Sequence, residues 1–170
     1  LVSYYFPDKE DLFDAVVDLR AIQLNDCRSA LLDQLDQEHS PRAAPVEAII
    51  HSLIHPFFAL HAENPVGWTR WTQLLNRETG TAIWTRAMAR NLGPVLRRYL
   101  FTLHRAIPDA RRADVLFILE LATRAMVLAA EVDMSAILPD AIAAEWTDDM
   151  VEQRIVRSLS AAATSFGTPG

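Results

Sequence analysis

The chain opens with apolar residues that recur at the spacing of an α-helix. Intervals of 4 and 7 residues place five of them on one stripe: Phe13, Val17, Leu24, Leu31 and Leu35. Asp8 suits the N-cap of this helix because its carboxylate can accept a hydrogen bond from a backbone N–H of the first turn. The pattern predicts a helix over residues 8–37, about 44 Å long at ~1.5 Å per residue.

The next segment, residues 46–62, is apolar on nearly every side. A helix of this kind is normally buried against several neighbours. Pro56 lies within it and cannot donate to the Ser52 carbonyl, so we expect a kink at this point. Asn64 and Pro65 then begin a shorter helix.

The second half of the chain repeats the helical spacing in three further segments. Residues 82–106 are helical in pattern, but Gly93-Pro94 predicts either a kink or two abutting helices. Residues 109–132 form a helix with two apolar faces, of which the second consists of Phe117, Leu121 and Leu128. Residues 133–146 read as a loop with one helical turn, and the last helix covers residues 147–166.

No segment shows the alternation of apolar and polar residues that is typical of a strand, and no internal repeat is visible. Apolar residues make up 51% of the chain, which excludes a disordered protein. The sequence therefore predicts an all-α fold, a helical bundle of six to seven helices.

Cysteine content, hydropathy and net charge exclude several classes of protein. Cys27 is the single cysteine, so a disulfide framework is excluded and a cytoplasmic location is expected. No apolar run approaches the roughly 20 residues that span a bilayer, so no membrane partner is expected. The net charge of -6 argues against a general nucleic-acid binder.

The first residues nevertheless carry groups that suit DNA phosphates. Lys9 is the only lysine, and it lies in the first turn of a helix, where the helix dipole disfavours a cation. Such a position is understandable if the ammonium group reaches a phosphate, and Tyr4 and Tyr5 supply hydroxyl groups nearby. The alternative is that the aromatic residues pack a small helical subdomain and Lys9 is solvated.

The stretch from Tyr4 to Leu12, with the sequence YYFPDKEDL, resembles a junction found in TetR-family transcriptional regulators. In that family an aromatic motif ends the recognition helix of a helix-turn-helix, and a turn, a lysine and an acid begin the connecting helix. The resemblance implies that residues 1–7 are the end of the DNA-binding domain, whose remainder lies upstream. Residues 8–170 would then be the ligand-binding and dimerisation domain, and Tyr4, Tyr5 and Lys9 would contact DNA.

The resemblance also implies a function and its partners. The protein would be a ligand-responsive repressor that binds operator DNA as a homodimer, through helices near 109–132 and 147–166. A small hydrophobic or aromatic effector bound in the helical core would alter the spacing of the two recognition helices. The alternative is a helical module that binds hydrophobic ligands without touching DNA.

Aromatic residues are concentrated in the middle of the chain, where the resemblance implies a small-molecule pocket. Such pockets are mostly apolar with a few polar groups, and bundles place them between helices. For each residue the alternative is simple core packing. The predicted ligand-binding residues are Phe57, Phe58, His61, Trp68, Trp71, Trp84, Met88, Leu92, Phe117 and Leu121.

Arginines are concentrated between residues 70 and 112. The simplest interpretation is a solvated face; the alternative is that one or two of them point inward and bind a carboxylate on the effector. The residues concerned are Arg86, Arg90, Arg97, Arg98, Arg105, Arg111 and Arg112.

Glu47, His51 and His55 are spaced by 4 residues on one helix face, a spacing that suits zinc ligands. The sequence offers no HExxH motif and no partner on a second helix, so we assign no metal site to them. The alternative is a helical metalloenzyme that binds its metal through His51 and His55. No nucleophile with a base, paired carboxylates or phosphate loop is visible. We therefore expect a protein that is not an enzyme and needs no cofactor.

Overall fold

The computed structural model of the protein describes residues 8–132, 136–137 and 139–167. Within these ranges it contains seven helices and no strand, which confirms the predicted all-α class. No helix there is long and apolar enough to cross a membrane. The helices are α1 (Lys9–His39), α2 (Val46–Glu63), α3 (Pro65–Glu78), α4 (Ala82–Ala106), α5 (Arg112–Glu131), α6 (Asp140–Ala143) and α7 (Asp148–Phe166).

Side-chain caps fix the start of several helices where the sequence predicts them. The Asp8 carboxylate accepts a hydrogen bond from the Asp11 backbone N–H at 2.8 Å. Asn64 caps α3 and Thr147 caps α7 in the same way, at 3.0 and 3.2 Å. These bonds satisfy N–H groups that have no partner inside the helix, so local sequence is enough to define these boundaries.

Helix α2 is the centre of the bundle, in contact with α1, α3, α4, α5 and α7. Half of its 18 residues are buried, and all but one of these are apolar. The exception is Ser52; its hydroxyl donates to the Ile49 carbonyl and lies 3.2 Å from the Tyr99 hydroxyl. The helix continues through Pro56 without interruption.

Helix α4 is also continuous, so the alternative of two abutting helices at Gly93-Pro94 is wrong. Proline removes one backbone hydrogen bond, and the buried residues Val95, Tyr99 and Leu103 hold the following turns against the core.

Helix α5 begins at Arg112, later than the predicted residue 109. Ile107 and Ala110 are both buried, and the Ala110 N–H donates to the Ile107 carbonyl at 3.1 Å. This turn keeps both apolar side chains in the core, so the helix starts only after it.

The two apolar faces of α5 have different environments. Val115, Ile118, Leu119, Ala122 and Met126 form the inner face and are buried. Phe117, Leu121 and Leu128 form the outer face and are exposed. The periodicity predicts both faces, but only the packing decides which one joins the core.

Candidate functional site

A cavity of about 420 Å³ lies between α1, α2, α3, α4 and α5. This volume falls within the range of about 300–1,000 Å³ that is usual for small-molecule sites. The wall is largely apolar, with polar groups contributed mainly by α1, α3 and α5. The lining residues are Leu24, Arg28, Phe57, Trp71, Leu75, Asn76, Thr79, Trp84, Met88, Leu92, Glu120, Thr123, Arg124, Met126, Val127 and Leu128.

Half of the residues predicted to bind a ligand line this cavity. Helix α2 contributes one of them, α3 one and α4 three, although they are far apart in the sequence. These residues are Phe57, Trp71, Trp84, Met88 and Leu92.

Three other predicted residues lie elsewhere in the core or at its edge. Phe58 and Trp68 are buried among apolar neighbours and do not line the cavity. The His61 imidazole is within hydrogen-bond distance of Asp148 and Thr69, at 3.3 Å from each. Helical spacing alone does not distinguish residues that fill a core from residues that border a void.

Phe117 and Leu121, also predicted to bind a ligand, are exposed on the outer face of α5. Their rings and methyl groups point away from the cavity because the opposite face of the helix carries its inward residues. Thr123, Met126 and Val127 take the place on α5 that the sequence analysis gives to these two residues.

The cavity contains a buried arginine that the sequence analysis does not identify. Arg28 is 2% exposed, and its Nε donates to the Leu53 carbonyl at 2.9 Å. Its Nη2 lies 3.7 Å from the Met126 sulfur. Burial lowers the pKa of Arg28 to about 10, so the guanidinium remains charged at neutral pH. Within residues 8–132, 136–137 and 139–167 it forms no ion pair with a carboxylate.

The sequence does contain a signal for this residue. Arg28 lies four residues after Leu24 and four before Leu32, both of which are buried. An arginine in the apolar stripe of a long helix must either extend past the core or bury its charge. Here the charge is buried.

A second donor in the cavity wall also lacks a partner. Trp71 is 6% exposed, and its indole Nε1 is buried with no hydrogen-bond acceptor in the part of the chain that the structure describes. Its ring packs edge-on against Trp68, with centroids 5.4 Å apart, and Trp68 packs in the same way against Phe57. The Arg20 guanidinium lies 5.1 Å from the Trp68 ring centroid. Trp68 therefore contacts Trp71 and Phe57 of the cavity wall, and Arg20 packs against its ring.

Comparison with family models gives one finding that bears on these features. Residues 51–162 match the tetracyclin repressor-like C-terminal domain. The chain belongs to the TetR family. C-terminal domains of this kind are parts of transcriptional regulators rather than enzymes. No curated protein and no solved structure matches the chain.

The predicted DNA contacts of this TetR-family chain fall outside the described residues. Tyr4 and Tyr5 precede residue 8, and the side chain of Lys9 is likewise not described. Their role stays a prediction. Helix α1 begins at Lys9 and extends past the cavity, so it connects the predicted DNA contacts to the cavity wall.

Four of the five arginines of α4 pair with acidic residues of α1. Arg86 binds Glu10 at 2.6 Å, and Arg90 binds both Asp14 and Asp18, at 2.9 and 2.7 Å. Further along, Arg98 pairs with Asp33 and Arg105 with Asp36. None of the seven arginines considered in the sequence analysis lines the cavity. The inward arginine is Arg28 instead.

The solvent-facing edge of the cavity meets the outer face of α5. Glu120 and Arg124 line the cavity and form an ion pair at 2.7 Å, with most of both side chains exposed. Leu128 lines the cavity too, yet it is 62% exposed and belongs to the outer face. A molecule in the cavity would therefore lie next to this face.

A separate cluster joins α2 to α7. Glu152 lies 2.9 Å from His55 and 3.5 Å from His51, and the two imidazoles stack with centroids 4.8 Å apart. Glu152 is the second-helix partner that the sequence does not reveal. Among the described residues, these three side chains have ligand atoms of types that bind metals, and the atoms lie within 4.8 Å of one another. Glu47 is not part of the cluster.

Proposed function

We propose that the chain is the effector-binding and dimerisation domain of a ligand-responsive TetR-family repressor. The observation that carries this proposal is the apolar cavity bordered by α1. Leu24 and Arg28 of that helix line the cavity, and the same helix begins directly after the predicted DNA-contacting motif. A ligand that displaces α1 would therefore move the segment that contacts DNA.

The homodimer is proposed to form through the outer face of α5 together with α7. Leu116, Phe117, Leu121 and Leu128 are between 40% and 62% exposed, and all four lie on α5. A cluster of large exposed apolar residues on one helix is typical of an interaction surface. Helix α7 packs beside α5 and exposes Ser158 and Ala161, whose small side chains allow another helix to approach closely.

The mechanism follows from the position of the cavity between these two regions. A dimer binds two operator half-sites only when its recognition helices are held at one separation. An effector that fits one arrangement of α1 and α5 better than the other shifts the population by its difference in affinity. An effector in the cavity would lie next to the proposed dimer contact, near Glu120, Arg124 and Leu128, and would also border Leu24 and Arg28 of α1.

The first test is a ligand screen with the full-length protein on its operator. We expect a ligand that releases the protein from DNA also to change tryptophan emission, because Trp71 and Trp84 line the cavity. The change should fall by about half or more in Trp84→Phe, measured as the fluorescence difference at saturating ligand. Trp71 and Trp84 are the two tryptophans in the described cavity wall, so they are the indoles that a ligand in the cavity would contact directly.

Trp146 supplies the matched control, since it is 46% exposed and does not line the cavity. Trp146→Phe should leave the ligand-dependent change intact. A ligand that releases the operator without altering the emission of this variant would place the effector site elsewhere.

The DNA contact has its own test. Lys9→Ala in the full-length protein should weaken operator binding and reduce the slope of log K against log salt by about one unit for each protomer, or about two units for the homodimer. The reason is that one phosphate contact fewer releases one counterion fewer. Lys9→Arg, which keeps the charge, should retain the slope. An unchanged slope in Lys9→Ala would contradict the phosphate contact.

The competing function is a helical carrier of hydrophobic ligands that never binds DNA. The apolar cavity is compatible with it, and the two functions differ in one measurement. Sequence-specific DNA binding by the full-length protein supports the repressor, whereas ligand binding without DNA binding supports the carrier.

A further inference from the structure

Arg28 holds a positive charge inside the bundle, and no carboxylate of the described residues forms an ion pair with it. It is 2% exposed, and its neighbours are Leu53, Tyr99 and Met126. Removing a charge from water costs several kcal/mol unless it is paired and hydrogen-bonded. The described part of the chain offers the Leu53 carbonyl and the Met126 sulfur, of which only the first is a strong acceptor.

The remaining N–H groups of Arg28 are available to a ligand. A guanidinium has donors on all three nitrogens, and those on Nη1 find no acceptor in the structure described here. Tyr99 does not neutralise the charge, because burial raises the pKa of its hydroxyl to about 12 and keeps it a neutral phenol. Arg28 also lines the cavity, so an effector bound there would lie against this residue.

The other charged and amide side chains of the cavity wall, which belong to Glu120, Arg124 and Asn76, are exposed and already paired. Glu120 and Arg124 bind each other at the solvent-facing edge. Asn76 donates to Glu131 at 2.6 Å. The unpartnered indole N–H of Trp71 adds a second donor to the wall. The interior of the cavity therefore presents two donors, one of them cationic, in apolar surroundings.

We propose that the effector is a small apolar molecule with one carboxylate, and that this carboxylate binds Arg28. The inference deepens the proposed function and rests on it. A single charge is favoured over a phosphate dianion, because one guanidinium would leave the second negative charge buried and unpaired. Arginine binds carboxylates in a bidentate manner, and the planar group of the effector would take up donors that the protein leaves free.

The experiment compares carboxylates with their uncharged amides on the wild-type protein. The probes are octanoate, decanoate, 4-phenylbutyrate and indole-3-butyrate, each against its primary amide, with decyl phosphate as the phosphate probe. Binding is measured by thermal shift and calorimetry. We expect at least one carboxylate to bind tenfold or more tightly than its amide, as charge-assisted hydrogen bonds away from water predict.

Variants then assign the preference to one residue. Arg28→Met, which places an apolar side chain in an apolar site, should abolish the preference for the carboxylate, and Arg28→Lys should retain part of it. Arg105→Met is the control, since Arg105 pairs with Asp36 on the surface and does not line the cavity. It should leave the preference unchanged.

The outcomes separate this inference from the function on which it rests. Amides that bind as tightly as carboxylates, or a preference that survives in Arg28→Met, would overturn the carboxylate assignment and leave the effector cavity intact. Tighter binding of decyl phosphate than of decanoate would also overturn it, in favour of a phosphate ligand. If neither the acids nor the amides bind at millimolar concentration, both the inference and the hydrophobic effector site are contradicted.

Discussion

Replacing Trp68 with alanine is expected to lower the free energy of unfolding by about 3–5 kcal/mol. Trp68 is 1% exposed, and its ring packs edge-on against Phe57 and Trp71 at centroid distances of 5.9 and 5.4 Å. Alanine would leave a void between α2 and α3 that rigid aromatic neighbours cannot fill. Chemical denaturation with fluorescence or circular dichroism measures the loss.

A second tryptophan provides the control for this prediction. Trp146 is 46% exposed, so Trp146→Ala should change the free energy of unfolding by no more than about 0.5 kcal/mol. Equal losses in the two variants would show that Trp68 is not in the closely packed core. Because Trp68 packs against Phe57 and Trp71, which line the cavity, the Trp68→Ala protein should also bind the effector more weakly.

The second large effect concerns the dimer. Replacing both Phe117 and Leu121 with aspartate is expected to raise the dissociation constant of the proposed dimer by about 100-fold or more, since dimerisation would bury two unpaired carboxylates from each protomer. Both residues are exposed in the chain and lie on the outer face of α5, so the fold of the protomer should be preserved. Sedimentation or light scattering over a concentration series measures the change, and operator binding should fall with it.

Phe101 is the matched control because it is 62% exposed but lies on α4. Phe101→Asp should leave the dimer intact. If Phe101→Asp yields monomers while the α5 double variant remains a dimer, the interface lies on α4, and the proposed link between cavity edge and dimer contact fails.

The prediction for the dimer depends on which apolar face of α5 is buried and which is exposed, and the sequence does not decide this. The sequence predicts that Phe117 and Leu121 bind the ligand, and it also predicts a dimer contact on the apolar face to which both residues belong. In the structure Phe117 and Leu121 do not line the cavity. Leu128 is the residue of the exposed outer face that also lines the cavity. Two apolar stripes on one helix are equally hydrophobic in sequence, and only the position of neighbouring helices assigns each to core or surface.

Local sequence was sufficient wherever local chemistry determines the structure. Asp8, Asn64 and Thr147 cap the helices that they are predicted to begin, because a cap depends only on the residues that follow it. The largely apolar surface of α2 predicts its central position for a similar reason, since a helix of this kind is normally buried against several neighbours.

The sequence by itself determined the all-α class, the order of the helices and the family resemblance, since these depend on periodicity and on a short contiguous motif. Only the tertiary structure revealed the cavity, the buried charge of Arg28 and the pairing of Glu152 with His51 and His55. Each of these features joins residues from different helices. The electrostatic environment of Arg28 in particular depends on whether a carboxylate from another helix packs beside it, which no spacing along α1 specifies.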